Sequence, residues 1–155
     1  MDEVISNQLS ALMEQTLKQI LPTNGYFTSL GESVHRGFYA HVFDTNRTKF
    51  PAIAIHPPVE DISGTQGGKK VTAAIESQTT LIVAALIEKE NNAYDQVKAC
   101  VRDIRRALFL AREEFKQIAS RDELQIGVAE PDLSRDSRVV MYAMTASVKY
   151  SETYE

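Results

Sequence analysis

The sequence predicts an α+β domain: a mixed, mostly antiparallel β-sheet with an N-terminal helix, one long helix packed on it and a long projecting β-hairpin. Two segments with different periodicities indicate this class. Residues 71 to 87 alternate as in a strand, whereas apolar residues between Tyr94 and Ile118 recur every three or four positions as in a helix. The 155 residues contain no internal repeat and no linker, which predicts a single domain over 1–155.

The first predicted element is an amphipathic helix over residues 2–21. Its apolar stripe consists of Ile5, Leu9, Leu12, Met13, Thr16, Leu17 and Ile20. Asp2 and Glu3 suit the positive end of the helix dipole, and Pro22 followed by Asn24-Gly25 ends the helix.

Short strands are predicted next, at 26–28, 34–42 and 51–56, with a turn at 30–32, a candidate bulge at Gly37 and a polar loop at 43–49. Ile53 and Ile55 should share one face. Residues 57–70 contain prolines, glycines and no periodicity, so they form either a long exposed loop or the tip of a hairpin.

The strand over 71–87 is long compared with the roughly 3–10 residues of ordinary strands, which predicts that it projects beyond its sheet. Its odd-numbered residues, from Val71 onward, share one mainly apolar face. The opposite face is polar at Glu76 and Gln78 and turns apolar from Ile82, so the later half should be buried on both faces.

The long helix should start at a cap formed by Asn91-Asn92 and continue unbroken to about Ile118. Its seam should pack on the sheet through Tyr94, Val97, Val101, Ile104, Leu108, Ala111, Phe115 and Ile118. Its charged face should point to solvent with Lys98, Arg102, Asp103, Arg105, Arg106, Arg112, Glu113, Glu114 and Lys116. A short strand at 124–128, a turn-rich loop at 130–136, a closing strand at 139–150 and a polar tail complete the prediction.

Residue types that serve catalysis or metal binding are present, but not in a recognised spacing. Cys100 is the single cysteine and lies among apolar helix positions, which predicts a small buried side chain. The three histidines, His35, His41 and His56, lack the spacing of a zinc site and are interpreted as structural. The run from Gly64 does not fit a phosphate-binding loop, because its second glycine should stand where Lys69 is. We therefore expect no enzyme, no cofactor and no metal.

The formal net charge of −4 argues against a dedicated nucleic-acid binder. Arg102, Arg105, Arg106 and Arg112 form the densest basic patch, interpreted either as a solvated helix face or as a surface facing another subunit or DNA. The acidic start Met1-Asp2-Glu3 lacks the pattern of a signal peptide, and residues 79–87 are too short to span a bilayer. Both observations predict a soluble protein that folds in a cytoplasm and does not contact a membrane.

Several short stretches occur in a distinctive order. They are the Leu-Pro turn before Gly25-Tyr26-Phe27-Thr28, the run from Leu30 to Gly37, the run from Phe50 to Ile55, the strand from Gln78 to Leu86 leading into Asn92-Ala93-Tyr94-Asp95, the run from Val101 to Leu108, and Val148-Lys149-Tyr150. Together they resemble the tail terminator proteins of long-tailed bacteriophages over about residues 5–150. The most specific of them is Asp103-Ile104-Arg105-Arg106-Ala107-Leu108 after the Tyr-Asp pair.

The resemblance implies a structural virion protein without catalytic residues. Such a protein forms a ring, usually of six subunits, which caps the tail tube, ends tail polymerisation and provides the docking surface for the neck and head. The implied partners are further copies of the chain, the tail tube protein, a neck or head-completion protein and, in a contractile tail, the sheath. DNA would pass through the channel without specific binding, at the junction of tail and neck. The Gly-rich segment 63–68 departs from the family pattern.

The candidate subunit or partner interface has two parts: Ile62, Lys69, Lys70, Val71, Ala73 and Ile75 on the hairpin, and Arg102, Arg105 and Arg106 on the helix. Apolar alternation near an exposed tip predicts that a neighbour covers the face of Val71. The hairpin should be mobile in the free protein and ordered on assembly, with Lys69 and Lys70 near acidic groups of a partner or near DNA. Two alternative functions are a tail-completion or head–tail connector protein, and a small-molecule or nucleic-acid binding module. For the hairpin, the alternative is a solvent-exposed loop without any role.

Overall fold

The computed structural model describes residues 4–44, 46–88, 92–119, 124–132 and 138–154. Within these ranges the helices are α1 (Ile5–Lys18), α2 (Tyr39–Val42), α3 (Ala93–Leu110) and α4 (Arg112–Ala119). The strands are β1 (Val34–Arg36), β2 (Ala52–Ile55), β3 (Val59–Gln66), β4 (Val71–Leu86), β5 (Gln125–Ile126), β6 (Glu130–Asp132) and β7 (Val139–Tyr154). The predicted α+β class, with an N-terminal helix, a long helix and a long hairpin, is confirmed.

One mixed sheet contains all seven of these strands, with β1-β2-β4-β7-β5 as its main order, β3 beside β4 and β6 beside β7. The pair of β1 and β2 is parallel, and every other pair recorded in the sheet is antiparallel. β4 and β7 are paired along their full length, from Val71 opposite Tyr154 to Leu86 opposite Val139. This pair forms the central axis of the sheet.

The main core lies between one face of the sheet and helices α1, α3 and α4. Leu17, Ile104, Leu108 and Phe115 are fully buried there. The core residues from β4 are Ala73, Ile75, Leu81, Val83 and Ala85. A smaller cluster lies on the opposite face of the sheet and consists of Ala54, Ile82, Ala84, Val139 and Met141. The prediction that the later half of β4 is buried on both faces is therefore confirmed.

The long helix is not continuous, and that part of the prediction was wrong. Ala111, with ψ near 2°, separates α3 from α4, and Arg112 Nη1 donates a hydrogen bond to the Phe109 carbonyl at 2.9 Å. The apolar seam nevertheless continues across the interruption, because Phe115 remains buried. Asn92 caps α3 as predicted, but Tyr94 is 58% exposed and lies outside the core.

Several other segments differ from the sequence prediction because a distant residue decides their structure. Residues 26–28 are not a strand, and residues 39–42 form α2. At the start of α2, the backbone N–H of Tyr39 donates a hydrogen bond to the His56 ring. Gly37, predicted as a bulge, lies between β1 and α2 and has a positive φ of 132°. β6 occupies part of the predicted loop at 130–136, and β7 continues through the predicted polar tail. Asp2, Glu3, Asn91 and 133–136 lie outside the described residues.

Candidate assembly surfaces

The arm is the three-stranded part of the sheet formed by β3, residues 71–78 of β4 and residues 147–154 of β7. β4 lies in its centre and is antiparallel to both neighbours, so β3 and β7 run in the same direction. The residues of β3 are exposed wherever their burial is described. The arm is the projecting hairpin that the sequence predicted, widened by the end of β7.

β3 was missed as a strand because its sequence, Val-Glu-Asp-Ile-Ser-Gly-Thr-Gln, has no regular alternation. It is ordered by backbone pairing with β4, from Val59 opposite Gln78 to Gln66 opposite Thr72, with an irregularity between Ile62 and Gly64. The tight turn includes Gly68 at φ 150°, a conformation that glycine adopts without strain. Of the two interpretations of 57–70, the hairpin is therefore confirmed, and the alternative of a long exposed loop was wrong.

Both outer edges of the arm are open among the described residues. β3 pairs only with β4, and the pairing of β5 with β7 ends at Ser147. Open edges present unpaired backbone N–H and C=O groups, which are ready to pair with a strand from another chain. Within the described ranges, the backbone groups of β3 and of β7 beyond Ser147 are therefore available to a strand from another chain.

The face of the arm that points toward α1 is largely covered within one chain. Ala73 is 1% exposed and Ile75 is 5% exposed, so the prediction that a neighbour must cover them was wrong. Ser6 at the start of α1 donates a hydrogen bond to the Glu60 carboxylate of β3. Burial, with Glu60 and Glu152 nearby, raises the pKa of Tyr150 on this face to about 12. Val71 and Ile62 remain exposed at the end and edge of the same face.

The opposite, outer face of the arm is polar and holds one row of three charges. Asp61 of β3 is directly opposite Glu76 of β4, which is directly opposite Lys149 of β7. Other rows on this face contain Thr72 with Thr153, and Gln78 with Ser147. Lys69 and Lys70 are exposed beside the turn that joins β3 to β4.

The arginines of α3 form the second candidate surface. The guanidinium of Arg102 lies 5.4 Å from the centre of the Phe27 ring, and that of Arg106 lies 4.4 Å from the centre of the Tyr26 ring. Arg102 and Arg106 therefore both contact the segment 26–28, through Phe27 and Tyr26 respectively. Arg105 is exposed and takes no part in these two contacts.

Asp103 fixes the segment 26–28 to α3, although the sequence placed it on the solvent face. It is fully buried and accepts hydrogen bonds from the backbone N–H groups of Phe27 and Thr28 and from the Thr28 hydroxyl. A signal existed: Asp103 lies on the stripe of Cys100 and Ala107, at helical spacing of three and four. As a result, Phe27 is 73% exposed on a segment held in place by the core.

The residues considered for chemistry have structural surroundings. Burial raises the pKa of the Cys100 thiol to about 12, so it stays protonated at neutral pH. His35 hydrogen-bonds with the Ser33 hydroxyl, His56 accepts from the Tyr39 N–H, and burial lowers the pKa of both rings. Within the described ranges, no group of three or more His, Cys, Asp or Glu side chains is placed to hold a metal ion. None of the helices described has the length and apolar character required to cross a membrane.

No model of a known protein family matches the chain, and no curated protein sequence matches it. The candidate site is accordingly defined by its geometry. It consists of the two open edges of the arm and of the arginine–aromatic surface over residues 26–28.

Proposed function

We propose that the protein is a structural subunit of a self-assembled ring that caps the tail tube of a long-tailed bacteriophage. The observation that supports assembly is the arm, whose two open edges run in the same direction. The assignment to a phage tail is supported by the resemblance of the sequence to tail terminator proteins.

Two different candidate surfaces on one subunit favour a head-to-tail interface. If one surface of a copy meets the other surface of the next, each copy uses both surfaces and the same contact repeats around an axis. Such an interface closes into a ring when the rotation between copies divides a full turn. The proposed ring contains six copies.

The surface charge suits a ring around passing DNA. The chain has a net charge of −4. A net negative charge disfavours binding of DNA phosphates. The proposed partners are the tail tube protein on one side of the ring, the neck or head-completion protein on the other, and the sheath in a contractile tail. The proposed role needs no catalysis and no cofactor.

Tube polymerisation in the presence of the purified protein tests this function. Tube subunits are allowed to polymerise with increasing amounts of the protein, and tube lengths and tube ends are measured by electron microscopy. We expect shorter tubes that carry a ring at one end. Tube lengths that stay unchanged at saturating protein would exclude the capping function. The native mass of the protein bound to tubes separately reports whether a ring forms.

A further inference from the structure

We propose that the outer face of the arm of one copy docks on the arginine–aromatic surface of the next, with Arg102 and Arg105 facing the carboxylates of Asp61 and Glu76. This inference rests on the proposed ring function and deepens it, because it names the two surfaces that meet and the side chains that pair between them.

The first observation is a pair of like charges on the outer face of the arm. Asp61 of β3 is directly opposite Glu76 of β4, and both residues are exposed. Side chains opposite each other in an antiparallel pair have Cβ atoms about 4.5–5.5 Å apart, and like charges there are destabilising. Glu76 has Lys149 on its other side, whereas no cation of the described residues lies within ion-pair distance of Asp61. A guanidinium group placed over the two carboxylates would remove the repulsion.

The second observation is a pair of available cations on α3. Arg102 and Arg105 are both exposed, and neither forms an ion pair with another described residue. Residues three positions apart on a helix have Cβ atoms about 5–6 Å apart. The spacing of the two arginines therefore matches the spacing of the two carboxylates, so that one pair can lie over the other.

The two charged pairs are separated within one chain by the sheet itself. Asp61 and Glu76 lie on the outer face of the arm, whereas α3 packs on the opposite face of the sheet. A contact between the pairs therefore needs a second copy, and it joins two different surfaces that every copy offers. Pairing of either surface with itself would bring carboxylate to carboxylate or arginine to arginine, which is unfavourable.

Exposed apolar side chains lie beside both charged pairs. Val59, two residues before Asp61 on the same face of β3, is 65% exposed, and Phe27, below the guanidinium of Arg102, is 73% exposed. Covering them in the contact removes apolar surface from water. The segment of Phe27 is already fixed by the buried Asp103, so docking on it costs less conformational entropy than docking on a loop without such an anchor.

Two single charge variants, Asp61→Lys and Arg105→Glu, test this contact. Both should leave the chain folded, because the first replaces a like charge opposite Glu76 and the second changes an exposed side chain. Each variant alone should weaken association at least about tenfold, since like charges then meet between copies. An equimolar mixture should assemble again, because the altered arm meets the altered helix and the unaltered arm meets the unaltered helix. Native mass is measured for the protein alone and bound to tubes.

Lys116→Glu is the matched control, because it makes the same charge change at an exposed residue of α4 and should leave association as it is. If either single variant associates like the unmodified protein, or the mixture stays monomeric, this contact is overturned while the ring function stands. If Arg105→Glu forms rings that no longer bind tubes, the surface faces the tube protein instead. Open filaments of the unmodified protein would keep the contact and overturn the ring, and absence of any association would overturn both.

Discussion

The carboxylate of Asp103 accepts hydrogen bonds from the backbone N–H and from the hydroxyl of Thr28, each at 2.8 Å. Because Asp103 is fully buried in α3, these bonds tie a segment without regular structure to the main core. They explain how Phe27 can be exposed beside Arg102 and still keep a defined position.

Replacement of this carboxylate gives the first prediction. Asp103→Asn keeps the shape but brings an amide NH₂ toward the N–H donors of residues 27 and 28. We expect a loss of about 1–3 kcal/mol in the free energy of unfolding, because buried donors lose their acceptor. Urea unfolding measures this value. Thr28→Ala removes only the hydroxyl contact and should cost less. Equal losses for the two variants would show that the backbone contacts add nothing.

The seam of α3 gives the second prediction. Leu108 is fully buried, whereas Leu110, two residues later, is 66% exposed. Leu108→Ala should lower the free energy of unfolding by about 2–5 kcal/mol, because it leaves a cavity in the main core. Leu110→Ala is the matched control and should change it by no more than about 0.5 kcal/mol. A similar effect of both substitutions would contradict the described packing of the helix.

The sequence predicted β4 and the seam of α3 well, because hydrophobic periodicity is a local property of each segment. It did not predict α2, whose first turn depends on His56, or the end of β7, whose polar Thr153 is paired with polar Thr72. Such partners are distant in the chain and leave no periodic signal.

The candidate site was predictable to a similar extent. The alternation from Val71 indicated a projecting hairpin, and its candidate residues Ile62 and Val71 are exposed at the arm. The strand order could not be read from the sequence, and this order is what places Asp61, Glu76 and Lys149 in one row. The burial of Ala73 and Ile75 depends on packing that a strand pattern alone does not contain.

Tyr150 gives a prediction of pH dependence. Burial raises its pKa from 10 to about 12, so the unfolded chain loses this proton at a lower pH than the folded chain. Its contribution to stability is therefore complete below pH 10 and is lost as the pH rises toward 12. Tyr150→Phe should flatten the fall in stability over this range, as measured by urea unfolding at a series of pH values. Tyr94→Phe, at an exposed position, should leave the profile as it is in the unmodified protein.

The last prediction separates folding from assembly in the arm. Deleting residues 62–68 removes the outer part of β3 and half of the turn at 67–70, while β4 keeps its pairing with β7. The described side chains in the deleted segment are exposed. The free energy of unfolding should therefore change by only about 1 kcal/mol. Assembly should fail, since the β3 edge is shortened: the native mass should be that of a monomer, and tails should stay uncapped or unjoined to heads. Fully infectious particles made with the deletion variant would show that the hairpin is not an assembly element.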